Sequence, residues 1–330
     1  MTGDQDGILR AECVEVDELM SRLRGISATG VPLRPGRYAG SLIGLDLGDV
    51  GIQILRSAPM LMLGSTSVGG VGLMQAMEGS DHARWNGKPL APEDVVVLDG
   101  SRQHAAIYPD DFACAILSYS GPAAERIVPA ACDTGLCRPG TKNLRPGMEP
   151  RSALAEIGRA IETALATSPG VLHDPEARRS LRASLLDTAE GLLAPAEDRP
   201  ARATRDGRTR QRIVHEADEY LRANPARPVY TEELCAALGS SATRLQQAFQ
   251  VTFGISPHRY LKMRRMGMVR AMLLSRAGRW HSVKAAALSH GFWHLGQFAH
   301  DYRALYGESP SETLARARPE AAQTAEDAGL

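Results

Sequence analysis

No run of 18 apolar residues occurs in this 330-residue chain, so no segment reads as a membrane-spanning helix. A basic leader is missing as well. The opening MTGDQDGILR carries two aspartates against one arginine, and a cytoplasmic protein without a membrane partner is the expectation. Cysteine is sparse and odd in number: Cys13, Cys114, Cys132, Cys137 and Cys235 do not suggest a disulfide framework. Cys132 and Cys137 have no second pair and no nearby histidine, and His82 and His104 lack a His-x-His arrangement, so neither a metal nor a cofactor is expected. Catalytic signatures are absent too. There is no Ser/His/Asp ordering, and Gly69-Gly70-Val71-Gly72 lacks the lysine or helix start that a phosphate cradle requires. The chain is not expected to be an enzyme, and a catalytic domain fused to a DNA-binding module is the weaker alternative.

What is present is a concealed division of charge. Over the whole chain 38 Lys and Arg match 38 Asp and Glu, yet residues 209–318 hold 16 basic against 8 acidic residues, leaving 22 against 30 elsewhere. A positive segment suits a polyanion, since neutralising phosphates dominates affinity for nucleic acid. The length favours two domains.

The positive segment contains a repeat. Adding 53 to Leu245, Phe249, Gly254, Ser256 and Pro257 lands on Phe298, Tyr302, Gly307, Ser309 and Pro310. Each copy reads as an amphipathic helix, a glycine stop and a Ser-Pro restart. In the first copy Thr231 is expected to cap a helix that ends at Gly239. Ser241 caps the next, which buries Leu245, Ala248 and Phe249 and displays Thr243, Arg244, Gln246, Gln247 and Gln250. In the second, Gly291 makes the turn, Phe292, Phe298, Tyr302 and Leu305 face inward, and Leu295, Gly296, Gln297 and His300 face out. A helix from Ser256-Pro257 to about Leu274 connects them, with Arg264 and Arg265 expected on the DNA. Two helix-turn-helix units on one rigid connector would enter successive major grooves of double-stranded DNA, about 34 Å apart. Gln246 and Gln247 fit adenine edges, and Arg244 suits guanine or phosphate.

Upstream, short apolar runs from Tyr38 to Ser120 are separated by turn pairs such as Asn86-Gly87. They predict a small antiparallel β-barrel, cupin-like in form, or a sandwich at about 38–120, with room for a small-molecule effector. Candidate effector contacts are Arg34, Arg37, Tyr38, His82, Trp85, Asp99, Ser101 and His104. Residues 1–35 give no firm element beyond a short helix within Val14 to Arg24. Residues 129–150 read as a connecting loop, and about 151–193 as an apolar helical hairpin suited to homodimerisation, with packing on its own barrel as the alternative. The expected class is therefore α+β: an effector-sensing and dimerising domain at 1–193, a linker at 194–208, an all-α tandem helix-turn-helix domain at 209–318 and a flexible tail at 319–330.

The strings YTEELCAALGSSATRLQQAFQVTFGISPHRYLKMRRM and GFWHLGQFAHDYRALYGESPSETL resemble the DNA-binding domain of the AraC/XylS family of bacterial transcriptional regulators. The second string is most similar to the ethanolamine-utilisation-regulator branch. The resemblance covers about a third of the chain. It implies a ligand-responsive activator that works with RNA polymerase, whose base and phosphate contacts fall on Thr243, Gln246 and Gln247 and on Leu295, Gly296, Gln297 and His300. By the branch the effector is an amine-like metabolite. Asp99-x-Ser101 beside Arg102, with Arg34 and Arg37, instead vaguely resembles a cyclic dinucleotide site. Leu295 and Gly296 are poor hydrogen-bonding residues, so the second unit is expected to read bases weakly.

Overall fold

The computed structural model describes residues 3–5, 7–34, 38–66, 71–86, 88–99, 103–133, 143–145, 152–193, 197–198, 205–224, 227–275 and 282–317. Arg37, Ser101, Arg102, Cys137 and the 319–330 tail lie outside them, as do the glycines at 69–70, 87 and 100 and the side chains of Asp99 and Cys132. The chain divides into two compact units, residues up to Gln211 and residues from Arg212 onward, with 33–37 grouping with the second.

The first unit runs β1 (Gly3–Gln5), β2 (Ile8–Cys13), α1 (Val16–Arg22), β3 (Ile26–Pro32), β4 (Gly40–Asp46), β5 (Val50–Ser57), β6 (Met60–Thr66), β7 (Val71–Glu78), β8 (Arg84–Trp85), β9 (Lys88–Pro89), β10 (Val95–Asp99), β11 (Gln103–Tyr108), β12 (Phe112–Tyr119), α2 (Gly121–Asp133), β13 (Asn143–Arg145), α3 (Ala153–Thr167), α4 (Pro175–Leu193) and β14 (Glu197–Asp198). These strands form two antiparallel sheets, ordered β1-β2-β4-β5-β12-β7-β10-β13-β14 and β3-β6-β11-β8-β9. Of the expected barrel or sandwich, the barrel is thus corrected. Among the described residues no ladder joins one sheet to the other, so each keeps its own edges.

The large sheet is covered on both faces. Ile52 and Ile54 of β5, with Ala113, Ala115 and Leu117 of β12, meet Leu154, Ile161 and Leu165 of α3 and Leu185 and Leu192 of α4. The alternate residues Leu42, Leu55, Cys114 and Ile116 meet Met60, Met62, Ala106 and Tyr108 of the small sheet. Double coverage explains why β12 reads as a nearly continuous apolar run rather than as alternation. The apolar faces of the hairpin pack on their own sheet, as in the alternative to dimerisation. Ion pairs hold this layer in place: Arg182 is bidentate to Asp49 at 2.7 Å, and Arg56 bridges Glu162 and Glu78.

Three segments assigned as irregular carry structure, and residues 1–35 hold β1, β2 and β3 beside α1. The 129–150 loop contains the end of α2 and strand β13, which pairs with β10. The 194–208 linker contains β14, paired with β13, and the start of α5 (Arg205–Ala223). Two- and three-residue strands have no hydrophobic period to betray them.

The second unit continues with α6 (Thr231–Ala237), α7 (Ala242–Phe253), α8 (Pro257–Leu274), α9 (Val283–Ser289), α10 (Leu295–Tyr306) and α11 (Pro310–Ala317). Helix α8 serves both halves. Tyr260, near its start, packs on Phe249 and Phe253 with ring centroids 5.2 and 4.9 Å away. Met266, Val269 and Leu273 join Ala286, Ala287, Phe292, Phe298 and Tyr302 in a second core.

Candidate nucleic-acid interface

Helices α7 and α10 are both 12 residues long and start 53 positions apart. Each ends on a glycine in the left-handed region, Gly254 at φ +68° and Gly307 at +76°. The serines that follow are caps: Ser256 Oγ accepts from the Arg259 N–H at 3.2 Å, and Ser309 Oγ accepts from the Glu312 N–H at 3.2 Å. Glu312 returns the bond by accepting from the Ser309 N–H, which holds its carboxyl below the usual range and completes a capping box. The preceding helices α6 and α9 are 7 residues each but offset by 52. The turn into α10 is therefore one residue longer than the turn into α7. Thr231 is the first residue of α6 rather than its cap, since Tyr230 occupies the cap position without a side-chain bond.

On α7 the inside and outside faces are as expected. Leu245, Ala248 and Phe249 are buried, while Thr243, Arg244, Gln246, Gln247 and Gln250 are exposed. Ser241 Oγ accepts from the Arg244 N–H at 3.3 Å and fixes where this face begins.

The face of α10 differs in two respects. Leu295 is half-buried and packs against the Phe298 core, so it is not displayed. Gln297 is exposed, but its amide donates to Asp301 at 2.9 Å, and Lys262 of α8 bonds the other carboxylate oxygen. Burial pushes the Asp301 carboxyl up, and the bonds from Lys262 and Gln297 outweigh it to hold the carboxyl below its usual range. Gly296 and His300 are exposed as expected.

Both connector arginines are corrections. Arg264 donates through Nη2 to the carbonyls of Leu221 at 2.9 Å and Asn224 at 3.2 Å, closing the C-terminus of α5. Arg265 is buried, with its guanidinium carbon 4.7 Å from the Tyr230 ring centroid and 5.0 Å from that of Phe292, and it donates to the His290 carbonyl at 3.4 Å. A guanidinium enclosed by two rings is a cross-brace, not a phosphate clamp. Sequence reasoning also passed over Trp293, which is 73% exposed. Its signal was available, because Trp293 directly follows the inward Phe292 and cannot share its side.

The predicted effector contacts do not converge. Tyr38, Trp85 and His104 are buried in the core between the sheets, with Tyr38 Oη 2.9 Å from Ser57 Oγ and the Trp85 and His104 rings 5.5 Å apart. His82 is exposed, and Arg34 is exposed in the second unit. The first unit instead holds a cleft of about 400 Å³ whose lining includes Leu9, Ile26, Leu98 and Ile116. Neighbouring strands give it Gly51, Ser118 and Gly72 in one cross-strand row, which leaves a largely open floor. At its rim the Gln53 amide makes two 2.8 Å bonds to the backbone of Arg24, and Arg24 pairs with Asp46 at 3.1 Å.

A family described as "Helix-turn-helix domain" matches residues 234–316. The "XylDLEGF operon transcriptional activator" of Pseudomonas putida is 33% identical over 112 residues, 34% of this chain and 34% of that one. The "Probable thc operon regulatory protein" of Rhodococcus erythropolis is 37% identical over 125 residues, 38% of each chain. The match thus spans little more than a third of these relatives. A crystal structure of a probable AraC family transcriptional regulator from Rhodopseudomonas palustris CGA009 is 44% identical and covers 33% of this chain and 99% of that one, at a TM-score of 0.30.

Proposed function

This chain belongs, through its helix-turn-helix region, to the AraC/XylS family of bacterial transcriptional regulators, and on that premise we propose that it is a sequence-specific activator with two DNA-reading helices, α7 and α10. The observation that carries this reading is the 53-residue relation between two equal helices, each preceded by a short helix and a turn and both packed on α8. Thr243, Arg244, Gln246 and Gln247 are the principal base and phosphate contacts of the first helix, and His300 and Gly296 line the second. Hydrogen bonding makes the first helix the sharper reader.

The first unit is the sensor in this reading. The cleft has the size of a small-molecule site and walls that suit a mainly apolar body. It opens beside the exposed Arg24–Asp46 pair, which an effector's polar end could exchange. The regulator acts as a homodimer and contacts RNA polymerase.

Selection of duplexes from a random pool by the full chain tests the proposal. The expected result is a bipartite consensus with its parts about one helical turn apart and with affinity that falls steeply with salt. Enrichment of no sequence would overturn it.

A further inference from the structure

Among the described residues Trp293 is the most exposed large hydrophobic side chain, at 73%. It does not belong to a loose end. Its neighbour Phe292 is buried with its ring 4.8 Å from Phe298, and the Phe292 N–H donates to the Ala287 carbonyl at 3.0 Å. The backbone that displays the indole is therefore pinned to the core on one side and enters α10 two residues later on the other.

The surface beside it carries the exposed imidazole of His294 and otherwise few hydrogen-bonding groups. Leu295 turns into the core, Gly296 has no side chain, and a Cβ built there would meet nothing within 4 Å. The Gln297 amide is engaged by Asp301. The entry to α10 thus presents the indole of Trp293 and the imidazole of His294 before a turn with open space at Gly296, where the first turns of α7 present Thr243, Arg244, Gln246 and Gln247. The segment as a whole suits a polyanion: Lys284 of α9 and Arg303 of α10 are exposed, and residues 209–318 carry 16 basic against 8 acidic residues.

We propose that Trp293 is a specificity-determining residue of the second reading helix, and that its indole packs on the 5-methyl groups of thymines in the major groove. Thymine is the base that offers an apolar group there, so a helix poor in donors and acceptors can still choose a base by contact with it. This inference rests on the DNA-binding reading above. It reverses one expectation from the sequence, since the second unit reads bases by apolar contact rather than weakly.

The test uses the full chain on its selected duplex, with each thymine replaced in turn by deoxyuridine, which removes only the methyl group. The wild-type chain should lose about fourfold in affinity for a methyl that is covered, from roughly 0.8 kcal/mol per buried carbon. That loss should fall in the half of the site away from the half read by Gln246. Trp293→Ala should bind the thymine duplex several-fold more weakly and lose the sensitivity to deoxyuridine, while Gln246→Ala keeps it. Unchanged melting of Trp293→Ala, with partial recovery in Trp293→Phe, separates contact from folding. Wild-type affinity in Trp293→Ala, or a loss that leaves the methyl dependence intact, overturns the proposal. So does loss of transcription with intact DNA binding, which would place a protein on the indole. A wild-type chain that selects no duplex removes the DNA-binding reading itself, and this inference with it.

Discussion

The hydroxyl of Tyr230 fills the space in which a side chain on Gly291 would begin: a Cβ built on Gly291 would lie 1.7 Å from the Tyr230 oxygen. Tyr230 opens α6 and Gly291 makes the turn before α10, so the two repeats touch directly. Arg265 braces the junction between the rings of Tyr230 and Phe292.

Gly291→Ala should therefore be costly on two counts. Its φ of +75° is in the left-handed region, and the new methyl meets the tyrosine. A loss of about 1–3 kcal/mol is expected from the backbone alone. Adding Tyr230→Ala should relieve the clash but not the backbone cost. Equal melting temperatures for the single and double variants would contradict this account.

Gln246→Ala and Arg264→Ala should separate reading from support. The first should cost about 1–3 kcal/mol at one base pair and relax choice there. The second leaves the Leu221 and Asn224 carbonyls without their donor, so it should lower the melting temperature while the dependence of affinity on salt stays as it was. Titrations at several salt concentrations, with melting curves alongside, check both.

Arg270 is buried, donating to Glu308 at 2.7 Å with its guanidinium 4.4 Å from the Tyr306 ring centroid. Arg270→Ala should cost about 3–5 kcal/mol, the usual penalty for breaking a buried ion pair. Arg316 pairs with the same carboxylate from an exposed position, and Arg316→Ala should cost under about 1 kcal/mol. Denaturant unfolding distinguishes the two.

His290 supplies a pH dependence. Burial lowers its pKa from 6.5, the charges of Arg265 and Arg264 lower it further, and the bond to the Ala286 carbonyl partly opposes them. The unfolded chain then binds this proton more readily than the folded one, so the stability tied to the neutral ring is present above pH 6.5 and lost as pH falls below it. Melting temperature should drop faster below that point in the wild type than in His290→Gln. Parallel profiles would remove His290 as the cause.

Gly44→Leu places a side chain in the cleft where a Cβ would sit 3.4 Å from Leu9 Cβ, an ordinary contact. A transcriptional reporter should lose its response to inducing conditions while operator affinity stays unchanged. A normal response would exclude the cleft as the sensor.

The repeat was legible in the sequence because its helices obey one period and its stops are local. Gly254 and Gly307 end helices by φ alone, and Ser256 and Ser309 cap the next ones with their own hydroxyls. The outward face of α7 followed from the same periodicity. The effector candidates were not legible, since which strand residues meet depends on pairing across the sheets. Tyr38, Trp85 and His104 went into the core, while the cleft formed where Gly51 of β5 and Gly72 of β7 flank Ser118 of β12.

The sequence by itself thus determined the helical repeat, its charge and the residues displayed on α7, because each depends on groups within a few turns of one another. Only the tertiary structure decided what Arg264, Arg265 and Gln297 touch and that Trp293 stands clear. A long side chain can reach solvent, a carbonyl or an aromatic ring, and packing from distant parts of the chain selects among them.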